Sequence, residues 1–215
     1  MRILRALILD FDGVLVESEE VKTQVFREVF EGFPHFIDQM MAYHAAHPSA
    51  PRHVKFGHLA ELLGRANDRA FVAELSNDFS RKAVGRTAAC PAVLGAVEFL
   101  EEFSSRLPLY LASATPESDL QEMLHLRGWQ SFFVEVFGYP PRPKSEAVRQ
   151  ALAIAGGDGN SVAFVGDSPG DFRVASEAGV EFIGRDSGLP FSEPRPPLYP
   201  DMKAIAEVVR MRIGS

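Results

Sequence analysis

The chain is short of several things that would point elsewhere. It has one cysteine, Cys90, so an internal disulfide is excluded and a reducing compartment is favoured; a cytoplasmic location is expected. No apolar run approaches the roughly 18 residues of a membrane-spanning helix. The apolar stretch after Arg2 and Arg5 is also too short for a signal peptide, so no membrane association is expected. Positive charge is scarce: 22 Lys and Arg stand against 29 Asp and Glu, a formal net charge of −7. Nucleic-acid binding needs clustered Lys and Arg on phosphates, so that class of partner is not expected either. There is no internal repeat and no low-complexity region. What remains is ordinary for a globular protein, 46% hydrophobic and 24% charged, and 215 residues suit one domain carrying an insertion.

The informative stretch is Leu4 to Ser18. Ala6-Leu7-Ile8-Leu9 is a short apolar run that ends in Asp10 and Asp12. Such a run, bounded by a turn signal, fits a buried strand of a parallel sheet. Carboxylates at the carboxyl end of such a strand sit where open α/β sheets place their ligand crevices. Two acids this close repel unless a cation joins them or one holds a proton. Phe11 between them should point the other way, into packing, because neighbours on an extended strand alternate. Gly13 then permits a sharp change of direction. A purely structural account makes Asp10 and Asp12 turn residues. It leaves unexplained the acids of Gly166-Asp167-Ser168-Pro169-Gly170-Asp171 and the lysine at Lys144.

In chain order, a helix begins near Ser18, with Glu17, Glu19 and Glu20 at its amino end and Val21, Val25, Phe26, Val29 and Phe30 on one face. Further helical periodicity covers about 35–46, 55–63 and 68–84, and no strand pattern appears between about 18 and 88, so this is an all-helical insertion. From Pro91 strands and helices alternate. Strands are expected at Leu109–Ala112, Phe132–Phe137, Val162–Val165 and Val180–Ile183. Thr115 as N-cap with Pro116 at the first helical position opens one helix, and Ser168-Pro169 opens another. Alternation implies a parallel sheet with right-handed crossovers. Pro190 to Pro200 holds five prolines and is expected to be an irregular strap before a last helix capped by Asp201.

In a parallel sheet the carboxyl ends of all strands share one edge, which would bring together Asp10, Asp12, Ser113 and Asp167, with Lys144 just before a helix. Carboxylates with waters and a substrate phosphate suit Mg²⁺. A lysine, a serine hydroxyl and helix-start amides suit a phosphate group. Asp10 can then attack phosphorus as a carboxylate nucleophile. Asp12 is placed to protonate the leaving alcohol and later to deprotonate water.

These residues resemble the motifs of the haloacid dehalogenase (HAD) superfamily, in its helical-cap phosphatase and β-phosphoglucomutase-like branch. Asp10-Phe11-Asp12-Gly13-Val14-Leu15 resembles the first motif, DxDGxL; Leu111-Ala112-Ser113-Ala114 the second; Lys144 the third; and Gly166-Asp167-Ser168-Pro169-Gly170-Asp171 the fourth, GDxxxD. The order and spacing fit over about 1–185. The resemblance implies an α/β fold with a Rossmann-like parallel core, 1–15 with 88–215, and an inserted helical cap, 16–87. It implies phosphate binding by Ser113, Ala114 and Lys144, and Mg²⁺ held by Asp10, Asp167, the backbone carbonyl of Asp12, and Asp171 directly, through water, or as a partner of Lys144. Asp12 counts against a true dehalogenase. Lys144 departs from the pattern in lacking the proline that often follows it in relatives.

Arg52, His53 and Lys55 stand where relatives carry the loop that reads the leaving group; their other reading is surface charge. His44 and His47 could share a helix face, which would suit zinc, but no cysteine or closed ligand set accompanies them. The expected activity is Mg²⁺-dependent hydrolysis of a small phosphorylated metabolite, such as a sugar phosphate, phosphoglycolate or a nucleotide monophosphate, by a monomer or weak dimer. Cap closure would pivot on hinges near 14–17 and 86–90. A phosphomutase of β-phosphoglucomutase type, or a non-catalytic binding protein on the same fold, are the alternatives.

Overall fold

A computed structural model of the chain describes residues 3–193 and 195–213. Arg2 of the amino-terminal stretch and Pro194 of the proline-rich segment lie outside the described residues. The chain separates into Ser18–Cys90 and, as a second unit, Met1–Glu17 with Pro91–Ser215.

Ser18–Cys90 is helical: α1 (Glu19–Phe30), α2 (Ile37–Ala46), α3 (Arg52–Leu62) and α4 (Arg69–Ala88). In α1, Val25, Phe26, Val29 and Phe30 are buried, the spacing of one helical stripe. The rings of Phe26 and Phe79 lie 4.5 Å apart, tilted by 46°, and Phe56 lies 5.6 Å from Phe26, so aromatic packing joins α1, α3 and α4. α3 starts three residues before the apolar periodicity does, because the Pro51 carbonyl already accepts from the amides of Val54 and Lys55. α4 begins where the Asp68 carboxylate accepts the Phe71 amide at 3.0 Å. It runs to Ala88 rather than 84 because buried Ala83 and Thr87 extend its packed face through Gly85.

The second unit holds β1 (Ala6–Leu9), α5 (Ala96–Phe103), β2 (Leu109–Ala112), α6 (Glu117–Arg127), β3 (Glu135–Phe137), α7 (Lys144–Ile154), β4 (Val162–Gly166), α8 (Pro169–Ala178), β5 (Glu181–Arg185), β6 (Leu198–Tyr199) and α9 (Met202–Arg210). Among the described residues the strands form one six-stranded parallel sheet in the order β3-β2-β1-β4-β5-β6. This is a Rossmann-like α/β core. β1 is central, its four residues all buried, and Leu9 stands opposite Leu111 on one side and Val165 on the other. That register brings three carboxyl-terminal strand ends level.

Three local details differ from the sequence pattern. The proline-rich segment includes β6, because Leu198 and Tyr199 lie between Pro197 and Pro200 and pair with Gly184 and Arg185 at the sheet edge, where proline neighbours are tolerated. Gln130–Phe132 forms a 3₁₀ turn, which delays β3 to Glu135. Pro116 rather than Thr115 is the N-cap of α6, and that helix has no side-chain cap. Among the described residues no helix is long and apolar enough to cross a membrane.

Candidate active site

Asp10 follows the last residue of β1 and Asp167 follows the last residue of β4, on neighbouring parallel strands. Asp171 enters from the first turn of α8, where a capping box fixes it: Ser168 Oγ accepts the Asp171 amide at 3.2 Å, while Asp171 Oδ2 accepts the Ser168 amide at 3.2 Å. Ser168 Oγ also donates to Asp171 Oδ2 at 2.7 Å. Carboxylate oxygens of Asp10, Asp167 and Asp171 lie within 4.8 Å of one another, and all three residues are buried. Lys144, the first residue of α7, donates from Nζ to Asp10 Oδ2 and to Asp171 Oδ1, each at 2.7 Å.

The charges explain one another. Burial pushes the Asp10 carboxyl up to about 7; Lys144 opposes this, while Asp171 and Asp12 add to it. Asp167 is likewise raised well above the usual carboxylate range, first by burial and then by Asp171 and Asp10. Burial alone would lower Lys144, but attraction to Asp10 and Asp171 prevails and holds the ammonium above its ordinary value. One ammonium thus faces three buried carboxylates. An oxygen-only donor set with surplus negative charge suits a hard cation, and these residues could hold a metal ion.

The loop leaving Asp10 is packed closely against Asp167. Gly13 has φ +71°, and a Cβ built there would lie 2.0 Å from Asp167 Oδ2. Arg185, at the end of β5, donates to the Gly13 carbonyl at 3.2 Å and to both carboxylate oxygens of Glu17. Phe11 is fully buried while its amide donates to Asp10 Oδ1 at 2.8 Å. Asp12 is half-buried and its Oδ2 accepts from the Thr115 hydroxyl at 3.0 Å.

Ser113 follows β2 and is buried; its Oγ accepts the Thr115 amide at 3.1 Å and its own amide donates to the Phe137 carbonyl at 3.0 Å. Ala114 lies between them, half-buried. In the helical unit, Arg52 donates to Ser80 Oγ at 2.7 Å and to the Ser76 carbonyl, with its guanidinium 4.6 Å from the Phe79 ring. Lys55 is only 2% exposed, with Nζ 2.8 Å from His44 Nδ1 and 4.8 Å from the Phe26 ring. Burial first, and then Lys22, lower Lys55 to about 8 against the pull of Glu19. Burial and then Lys55 lower His44 to about 4. His44 Nε2 meets Thr23 Oγ1 at 3.0 Å, and His47 Nδ1 meets the Tyr43 carbonyl, so their ring nitrogens point to different partners. His53 is half-buried, and burial and then Arg52 lower it.

Ser168, Thr115 and Arg185 were not singled out from the sequence as site residues. Ser168-Pro169-Gly170-Asp171 carries a readable capping-box signal. Thr115 and Arg185 carry none, since their partners lie 103 and 172 residues away.

A parallel α/β sheet with clustered acids at the carboxyl ends of adjacent strands is an enzyme-type crevice. The chain belongs to the haloacid dehalogenase-like hydrolase family, whose pattern it matches over residues 4–179. No curated protein sequence matches it significantly. Among solved structures it is similar to a magnesium-bound protein from Bacillus subtilis, YfnB, assigned as a HAD hydrolase, with a TM-score of 0.72, 15% identity, and 97% of this chain and 99% of that one covered. A Haemophilus somnus protein assigned by prediction as a phosphoglycolate phosphatase matches with a TM-score of 0.74, 16% identity and 97% and 99% coverage. A Bacteroides vulgatus protein assigned as a β-phosphoglucomutase matches with a TM-score of 0.73, 16% identity and 99% and 91% coverage. At these identities the likeness is one of fold.

Proposed function

We propose that the chain is a Mg²⁺-dependent phosphatase that hydrolyses a small phosphorylated metabolite through phosphorylation of Asp10. The observation that carries this reading is the shared Lys144 ammonium, bonded to Asp10 and Asp171 at 2.7 Å beside Asp167. It gives Asp10 a fixed orientation and a local positive charge in a water-poor setting. In the first half-reaction a carboxylate oxygen of Asp10 bonds to phosphorus, the phosphorus–alkoxide bond breaks, and the Asp12 carboxyl gives its proton to the departing oxygen. In the second, Asp12 takes a proton from water, the water oxygen bonds to phosphorus, and the bond to Asp10 breaks, releasing phosphate.

Ser113, Ala114 and Lys144 are assigned to the phosphoryl oxygens. Asp10, Asp167, the Asp12 carbonyl and Asp171 are assigned to Mg²⁺, which when bound neutralises charge on the transferring group. The family and the magnesium bound by YfnB support that assignment. The helical unit is assigned the part of a specificity cap, with Arg52, His53 and Lys55 as its candidate contacts.

Phosphate release with Mg²⁺ across a panel of phosphate esters tests the reading, comparing the native chain with Asp10→Asn. Release by the native chain and its loss in Asp10→Asn are expected. Recovery of an isomerised sugar phosphate in place of inorganic phosphate would replace hydrolysis by phosphomutase chemistry.

A further inference from the structure

Thr115 is built into place from every side. It is 5% exposed. Its amide donates to Ser113 Oγ at 3.1 Å, its carbonyl accepts the Tyr139 amide at 2.9 Å, and its hydroxyl donates to Asp12 Oδ2 at 3.0 Å. The close passage of Gly138 secures this corner, since a Cβ there would come within 2.7 Å of the Thr115 carbonyl oxygen. A threonine just ahead of a helix ordinarily turns its hydroxyl to the helix amides. Here α6 has no side-chain cap, and the hydroxyl reaches instead to a carboxylate 103 residues away. Threonine is branched at Cβ, so its χ1 is stiff and the donor is held in advance.

We infer that Thr115 is the positioning residue for Asp12, its hydroxyl tying Oδ2 so that Oδ1 is the oxygen that exchanges a proton with the leaving group. This rests on the assignment of Asp12 as general acid and base. A carboxyl that rotates about χ2 spends much of its time with neither oxygen aimed at the reacting group, and proton transfer demands hydrogen-bond reach. Loss of the tether should therefore slow phosphorylation of Asp10 only for leaving groups that need the proton, while the later attack of water, which uses Asp12 as base, is slowed for every substrate.

The test compares two substrates with Mg²⁺: an alkyl phosphate, whose alkoxide cannot leave without a proton, and p-nitrophenyl phosphate, whose nitrophenolate can. In Thr115→Val, close in shape to threonine, kcat/KM, which reports the steps through phosphorylation of Asp10, should fall about 30-fold on the alkyl phosphate, part of the 10²–10⁴-fold that general acid catalysis supplies, and should change less than about 3-fold on p-nitrophenyl phosphate. Thr115→Ser keeps the hydroxyl and should recover kcat/KM on the alkyl phosphate to within about 3-fold of the native chain. An equal fall in kcat/KM on both substrates, or no fall on either, overturns the inference. Asp12→Asn separates the two levels. If it shows the leaving-group bias and Thr115→Val does not, the tether is wrong; if Asp12→Asn itself shows no bias, the general-acid assignment falls with it.

Discussion

Asp10 should carry a measurable pH signature in the metal-free protein. Its carboxyl rises from 3.8 to about 7, so the folded chain holds a proton there that the unfolded chain has lost. Stability from this group is complete below pH 3.8 and disappears as the pH rises through 7. Three units correspond to about 4 kcal/mol. The total pH profile will not show this directly. His44, lowered to about 4 from 6.5, works the other way, losing stability as the pH falls through the same range. Asp10→Asn keeps the shape and leaves His44 untouched, and it removes the Asp10 titration together with the part of the Asp167 rise that Asp10 causes. Urea unfolding in EDTA should show Asp10→Asn gaining about 4 kcal/mol relative to the native chain between pH 4 and pH 8. Saturating Mg²⁺ should shrink that gain, because a bound cation stabilises the ionised carboxylate. A stability difference independent of pH in EDTA would refute the electrostatic account of the cluster.

Other predictions are as direct. Gly13→Ala places a Cβ 2.0 Å from Asp167 Oδ2 at φ +71°, so it should cost about 1–3 kcal/mol in urea unfolding and displace the Asp167 side chain in a crystal structure. Lys55→Met should stabilise the protein near pH 7, by up to about 3 kcal/mol less the lost contact with His44, because the ammonium is held at about 8 against 10.5. The cost of burying that cation is present below pH 8 and is relieved as the pH approaches 10.5, so the native chain should gain stability relative to Lys55→Met over that interval in thermal unfolding. A Lys55→Met protein that melts lower at pH 7 would contradict this.

Much of the fold was legible because its signals are local. The run Ala6–Leu9, buried on both faces, reads as a central strand, and parallel pairing then carries Asp10 and Asp167 to one edge. The Asp171 carboxylate is readable from four consecutive helix-start residues. What the sequence concealed depends on distant partners or on tertiary context. Lys55 carries a charge that suggests solvent, yet it shares the buried stripe of α3 with Phe56, Leu59 and Ala60. Thr115 has the position of a helix cap, and only the folded chain presents it with Asp12. Leu198 and Tyr199 have strand character that the surrounding prolines mask.

The central claim is that Asp10 receives the phosphoryl group. The most direct measurement is acid quenching of the native chain during turnover with a substrate labelled in its phosphate, followed by peptide mapping. Label on the peptide containing Asp10, sensitive to hydroxylamine as an acyl phosphate and missing in Asp10→Asn, is the predicted result. Phosphate release at equal rates by the native chain and Asp10→Asn, with no label retained by either, would contradict it.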